Sequence, residues 1–193
     1  EIHHDGDLPA RSGMGSSSAF TVGLLNALYA LKGHMATKEQ LANESIHLEQ
    51  DLLKETVGSQ DQVNAAYGGF NHITFHTSGE ISVRPVIIPP DRLNELTSHL
   101  MLFYTGIKRT ADKVAGSYVP SLESKRRQLR ILRDMVEEAL AVLCGHGPIK
   151  EYGELLHESW LAKQAISDKI SNDAISELYN AARDSGAGGG KIT

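Results

Sequence analysis

The segment Leu8–Phe20, LPARSGMGSSSAF, constrains this chain more than any other. Gly13 and Gly15 flank a single residue and run into Ser16, Ser17 and Ser18, and an apolar stretch suited to a helix follows at once. Pro9 stiffens the approach, the glycines permit positive φ and close backbone approach, and the serines fall where a helix starts with unsatisfied amides. Those amides, at the positive end of the helix dipole, make a cradle for an anion such as phosphate. An ordinary helix cap behind a Gly-rich loop uses the same residue types, although three successive hydroxyls exceed what a cap needs. A Walker A loop requires a Lys straight after its last glycine, and none follows Gly15; a dinucleotide fingerprint requires a third glycine where Ser18 stands.

The 193 residues suffice for one large or two small domains with a buried core. A formal charge of −5 without any Lys/Arg-rich block argues against nucleic acid or an anionic membrane as the main partner, and leaves room for a locally positive phosphate pocket. Cys144 is the only cysteine, which excludes an intrachain disulfide and a cysteine-based zinc site and makes the cytoplasm the expected compartment. No apolar run reaches membrane-spanning length. The chain opens at Glu1 with what reads as a strand end, and stops at Lys191-Ile192-Thr193, so it is expected to be an internal part of something longer.

Helical spacing of Phe20, Leu24, Ala27, Leu28 and Leu31 predicts a well-buried helix over Ser17–Leu31, closed by Lys32-Gly33. Thr37 and Gln40 have capping-box spacing and open a second helix expected to reach about Lys54. On its wheel Leu41, Ala42, Ser45, Ile46, Leu48, Leu52 and Leu53 form one apolar arc with Glu49 near its middle, while Asp51 falls on the polar side. A carboxylate on a buried face is costly unless it is paired, hydrogen-bonded or bound to a metal, so Glu49 is a candidate Mg²⁺ ligand; a rim position reaching solvent or an Arg is the plain alternative. Gly58–Gln62 is a polar turn into a short helix ended by Gly68-Gly69. Asn71–His76 and Ile81–Val86 read as a hairpin, with Pro85 at an edge or strand end and a domain boundary near Pro89-Pro90.

Beyond the boundary, Asp91–Thr97 is expected to be helical and His99–Tyr104 (HLMLFY) a buried strand. Lys108 and Arg109 then stand beside a helix start, where they could hold a substrate phosphate or remain a solvated pair. A long amphipathic helix is predicted over Leu122–Leu143 after a Ser121 cap, with Leu129, Leu132, Val136, Leu140 and Leu143 as its apolar stripe. Helices over Glu151–Gln164, with Trp160 as a packing residue, and from Asn172 to Asp184 complete the pattern before the Gly-rich SGAGGG at Ser185–Gly190.

LPARSGMGSSSAF resembles the second signature of the GHMP kinases (galacto-, homoserine, mevalonate and phosphomevalonate kinases), P-x-x-x-G-[LM]-G-S-S-[AS], with Pro9, Gly13, Met14, Gly15, Ser16 and Ser17 matching position by position. GSQDQVNAAYGGF is similar to that family's G-x-x-D-[NQ] setting before a short helix and a Gly-Gly. Within the family, these stretches and HLMLFYTGIKRTAD are most similar to D-glycero-D-manno-heptose 7-phosphate kinases. The first signature, which would precede Glu1, is absent, and SGAGGG corresponds to the approach to the third glycine-rich signature rather than to that signature itself.

The resemblance implies an α/β (α+β) fold in two incomplete lobes, a mixed α/β N-terminal ATP-binding lobe over residues 1–89 and a ferredoxin-like C-terminal lobe with added helices over 90–193. It implies ATP in the cleft, with its phosphates on Arg11, Ser12, Gly13, Met14, Gly15, Ser16, Ser17 and Ser18. It implies Mg²⁺ on Ser17 (or Ser16) and Glu49, Asp61 as general base, and Lys108 and Arg109 at the substrate phosphate. The implied reaction phosphorylates the anomeric hydroxyl of a sugar phosphate, heptose 7-phosphate giving heptose 1,7-bisphosphate. A fucose- or galactose-type sugar kinase, or a binding module without catalysis, is the alternative.

Overall fold

The computed structural model describes residues 2–3, 5, 13–106, 119–167 and 170–192. These divide into two compact units, one comprising the described residues up to Pro85 together with Gly106, the other Val86–Thr105 and the described residues from Val119 onward. The mixture of helices with a small sheet makes the fold α/β.

The first unit is three helices and a hairpin. Helix α1 (Ser16–Leu31) starts at Gly15, whose φ of 67° turns the chain directly into the helix. It ends in a Schellman-type cap: Gly33 has φ 70°, its N–H donates to the Ala30 carbonyl, and the His34 N–H reaches back to Tyr29. Helix α2 (Lys38–Ile46) is capped by Thr37, whose Oγ1 accepts from the Gln40 N–H at 3.0 Å. The reciprocal half of the capping box is not made, because the Gln40 amide turns instead to Tyr29 and Glu44. Helix α3 (Gln60–Tyr67) packs on both, and Val22, Leu41, Ala42 and Val63 form the apolar core between the three.

Two expectations fail here for physical reasons. The second helix does not continue as an α-helix to Lys54: at His47–Leu52 it widens into a π-helical segment, with the Leu53 N–H bonding five residues back to Leu48. Each wider turn rotates the residues that follow, so Leu52 and Leu53 leave the buried arc and stand 65% and 59% exposed, whereas Leu41, Ala42, Ser45 and Glu49 stay inside. Helix α1 is not buried on nearly all sides either. Helices α2 and α3 cover one side, and Phe20, Leu28 and Leu31 are exposed.

Gly68 and Gly69, both at positive φ, end α3 and deliver the chain to β1 (Asn71–Phe75), which pairs antiparallel with β2 (Ile81–Pro85). Pro85 lies opposite Asn71 at the end of the ladder, where a missing N–H is tolerated. Lys38 Nζ donates to the Tyr67 carbonyl at 2.6 Å, joining the start of α2 to the end of α3.

Among the described residues the second unit is helical. Helix α4 (Pro90–Ser98) opens on a proline at its first position, and its Arg92 donates to the Val142 carbonyl at 2.7 Å. Leu96, Leu143 and Ile149 form a core with Ile88 and Tyr152. His99–Tyr104 is not a buried strand: no described strand lies beside it, and Met101, Leu102 and Phe103 are exposed. A 3₁₀ turn (Val119–Lys125) leads into α5 (Arg126–Cys144). The expected stripe on α5 is rotated, since Met135 and Leu143 are buried while Leu129 and Val136 are exposed.

Helix α6 (Lys150–Gln164) packs on α5 and carries the buried Trp160. Helix α7 (Asp173–Asp184) is capped by Asn172, whose Oδ1 accepts from the Ile175 N–H at 2.9 Å. Tyr179 of α7 stacks on His157, shares a 2.6 Å hydrogen bond with its Nδ1, and packs its ring near Trp160. The Gly-rich segment after α7 lies flat against α6. A Cβ on Gly189 would strike the Gly153 carbonyl and the His157 backbone, and Arg183 donates to the carbonyls of Ala187 and Gly188. Among the described residues no helix is long and apolar enough to cross a membrane.

Candidate active site

The site is built where the start of α1, the π-helical segment and the start of α3 meet in the first unit. Gly15 supplies α1 with no capping side chain, and no acidic residue of the helix itself occupies its first turn. Asp61 stands in the first turn of α3, where Ser59 is the cap residue, so the Asp61 side chain is not consumed in capping. Its carboxylate lies against Gly15: a Cβ placed on that glycine would sit 3.4 Å from Asp61 Cγ and Oδ2. The structure thus brings Asp61 to the Gly-Ser loop although 46 residues separate them.

Glu49 is only 2% exposed. Its Oε2 accepts from Ser18 Oγ at 3.1 Å and from Gln62 Nε2 at 2.5 Å, while its Oε1 is buried and has no hydrogen-bond partner. No Lys or Arg pairs with it among the described residues. A carboxylate buried with one bare oxygen and no cationic side chain suits a cation from outside the chain. Among the described residues no three His, Cys, Asp or Glu gather as a metal cage. Mg²⁺ does not need one, since it binds one or two carboxylates, hydroxyls and the phosphates of a substrate. The donor set fits Mg²⁺ in kind. Asp51, by contrast, is exposed and paired with His47 Nδ1 at 2.7 Å.

The hydroxyl brought to Glu49 belongs to Ser18, which is 3% exposed. Ser17 is exposed, and its carbonyl accepts from Thr21 Oγ1. Ser16 is half-buried, Gly13 has φ 78° and Met14 is exposed. Arg11, Ser12, Lys108 and Arg109 lie outside the described residues.

Behind the site a polar network braces α1 against α2. Tyr29 Oη donates to the Glu44 carboxylate at 2.6 and 2.8 Å, and Gln40 Nε2 donates to both Tyr29 and Glu44. The hydrogen bond from Tyr29, then that from Gln40, holds the Glu44 carboxyl below the usual carboxylate range; the same bond holds the Tyr29 phenol above its ordinary value. Neither this network nor the contact of Gln62 with Glu49 follows from local spacing. The one available signal for Gln62 is its place beside Val63 on the inward side of α3.

Residues 1–69 of the chain match the model of the GHMP kinases N terminal domain. Over its full length it is 28% identical to a D-glycero-alpha-D-manno-heptose 7-phosphate kinase of Campylobacter jejuni, covering 57% of that protein. It is also 28% identical to an L-fucokinase/L-fucose-1-P guanylyltransferase of Bacteroides fragilis, with 95% of this chain and 20% of that protein aligned. Among solved structures, a D-glycero-D-manno-heptose 1-phosphate kinase from Bacteroides thetaiotaomicron shares the fold at TM-score 0.70 and 24% identity, covering 98% of this chain and 52% of that one. The chain therefore spans about half the length of the heptose-phosphate kinases it matches.

Proposed function

We propose that the protein carrying this chain is an ATP-dependent sugar kinase that phosphorylates the anomeric hydroxyl of a sugar phosphate, heptose 7-phosphate giving heptose 1,7-bisphosphate. The observation that carries this reading is the meeting of three parts in one place: the uncapped start of α1, the buried Glu49 with its bare oxygen, and Asp61 against Gly15. In this reading residues 1–89 are part of the N-terminal ATP-binding lobe and 90–193 part of the C-terminal lobe, and the enzyme works in the cytoplasm.

The backbone amides of Gly13–Ser18, with Arg11 and Ser12 ahead of them, bind the ATP phosphates at the positive end of α1. Asp61, beside that loop, orients the attacking hydroxyl and accepts its proton as the new O–P bond forms and the bond from phosphorus to the departing ADP oxygen breaks. Glu49 and the Ser17 hydroxyl are the residues that would hold Mg²⁺, which when bound offsets the negative charge of the phosphate oxygens. Lys108 and Arg109 supply charge for the phosphate already on the sugar. Phosphoryl transfer depends mostly on positioning and charge stabilisation, so a set of this size is sufficient in kind.

Incubation of the full-length protein with ATP, Mg²⁺ and a panel of sugars and sugar phosphates, followed by ADP, tests the reading. Turnover on heptose 7-phosphate is expected. Turnover on fucose or galactose alone would move the assignment to the alternative that the fucokinase similarity supports. Nucleotide binding with no turnover on any sugar would leave a binding module.

A further inference from the structure

Glu49 holds its two hydrogen bonds in an uneven way. A carboxylate offers about four acceptor sites over two oxygens. Here both donors, Ser18 from α1 at 3.1 Å and Gln62 from α3 at 2.5 Å, converge on Oε2, and Oε1 receives none although it is buried. Were the cluster only a means of burying a charge, leaving one oxygen bare would cost free energy with nothing gained. Because a carboxylate only accepts, the Gln62 amide must turn its NH₂ toward Glu49, and this leaves its own Oε1 unpartnered at a residue that is 0% exposed. Two donors from two different helices fix both the position and the plane of the carboxylate. Gln62 also directly follows Asp61 on α3, so one helix start sets both carboxyl groups of the site.

We infer that Ser18 and Gln62 are positioning residues that saturate one oxygen of Glu49 and so present the other, in a fixed orientation, to a divalent cation. This rests on the proposed kinase reading. Groups that orient a metal ligand typically change metal affinity or activity roughly ten- to a hundredfold when removed.

The test uses the full-length protein with Mn²⁺ as probe, its binding in the presence of ATP followed by electron paramagnetic resonance. Ser18→Ala and Gln62→Met are each expected to weaken Mn²⁺ binding roughly tenfold, a larger loss than either causes in nucleotide affinity measured without metal. In steady-state assays the Mg²⁺ concentration for half-maximal rate rises by the same factor and KM for the sugar does not move. Ser18→Thr, which keeps the hydroxyl, retains the parent's affinity. Ser18→Ala removes a single oxygen, so it keeps the measurement readable should Gln62→Met unfold. Mn²⁺ affinity unchanged in Ser18→Ala, with only a lower melting temperature, overturns the inference and leaves both residues as packing. Failure of the kinase reading looks different: the parent itself then binds no Mn²⁺ with nucleotide, and both claims fall together.

Discussion

Gly15 has a φ of 67°, which favours glycine, and a Cβ placed on it would be in van der Waals contact with the Asp61 carboxylate at 3.4 Å. Gly15→Ala is therefore expected to lose about 1–2 kcal/mol for the left-handed backbone, lowering the melting temperature. Gly23, on the same helix with open space around it, is the control. Gly23→Ala should stabilise α1 by roughly 0.5–1 kcal/mol, and equal effects of the two substitutions in a thermal melt would contradict the account. Asp61 and Glu49 were legible in the sequence for different reasons. Glu49 stood out because a carboxylate in an apolar arc needs a partner, whereas Asp61 stood out only through the pattern around it. Gln62 was not legible, because its partner lies 13 residues away on another element and no local period links them.

Elements show where periodicity carries and where it stops. The caps at Thr37, Gly33 and Asn172 formed where the sequence put them, since capping is decided within a few residues. The π-helical segment could not be read, as HLEQDL contains neither proline nor glycine to mark a departure from α geometry. Nor could the exposure of His99–Tyr104, since an apolar run does not supply its own partner strand.

The Tyr29–Glu44 bond between α1 and α2 gives a pH signature. Glu44 is depressed in the folded state, so its contribution is present above the unfolded value and is lost as pH falls through the folded one. Tyr29→Phe should lower the melting temperature at neutral pH, and its gap to the parent should close as the pH is taken below the folded value of Glu44. A gap constant from neutral to acid pH would rule this out. In the second unit, Gly189→Ala forces the segment off Gly153 and His157 and should cost about 1–3 kcal/mol, seen as faster amide exchange at Ala187–Gly190; unchanged exchange there would show that the close approach is not needed.

For the molecule as a whole, the α/β fold rests on features spread along the chain, the Asp61 helix and the hairpin in the first unit and the helices of the second, whereas the match to the GHMP kinases N terminal domain is confined to residues 1–69. The proposed chemistry rests on a much smaller set. Glu49 and its two donors, and Asp61 against Gly15, come from three short segments that only folding brings together. The most direct test of that claim is turnover of Asp61→Asn in the full-length protein with ATP, Mg²⁺ and heptose 7-phosphate, with nucleotide affinity measured on the same sample. The account predicts near-complete loss of ADP formation with nucleotide binding retained. Turnover equal to that of the parent would contradict it.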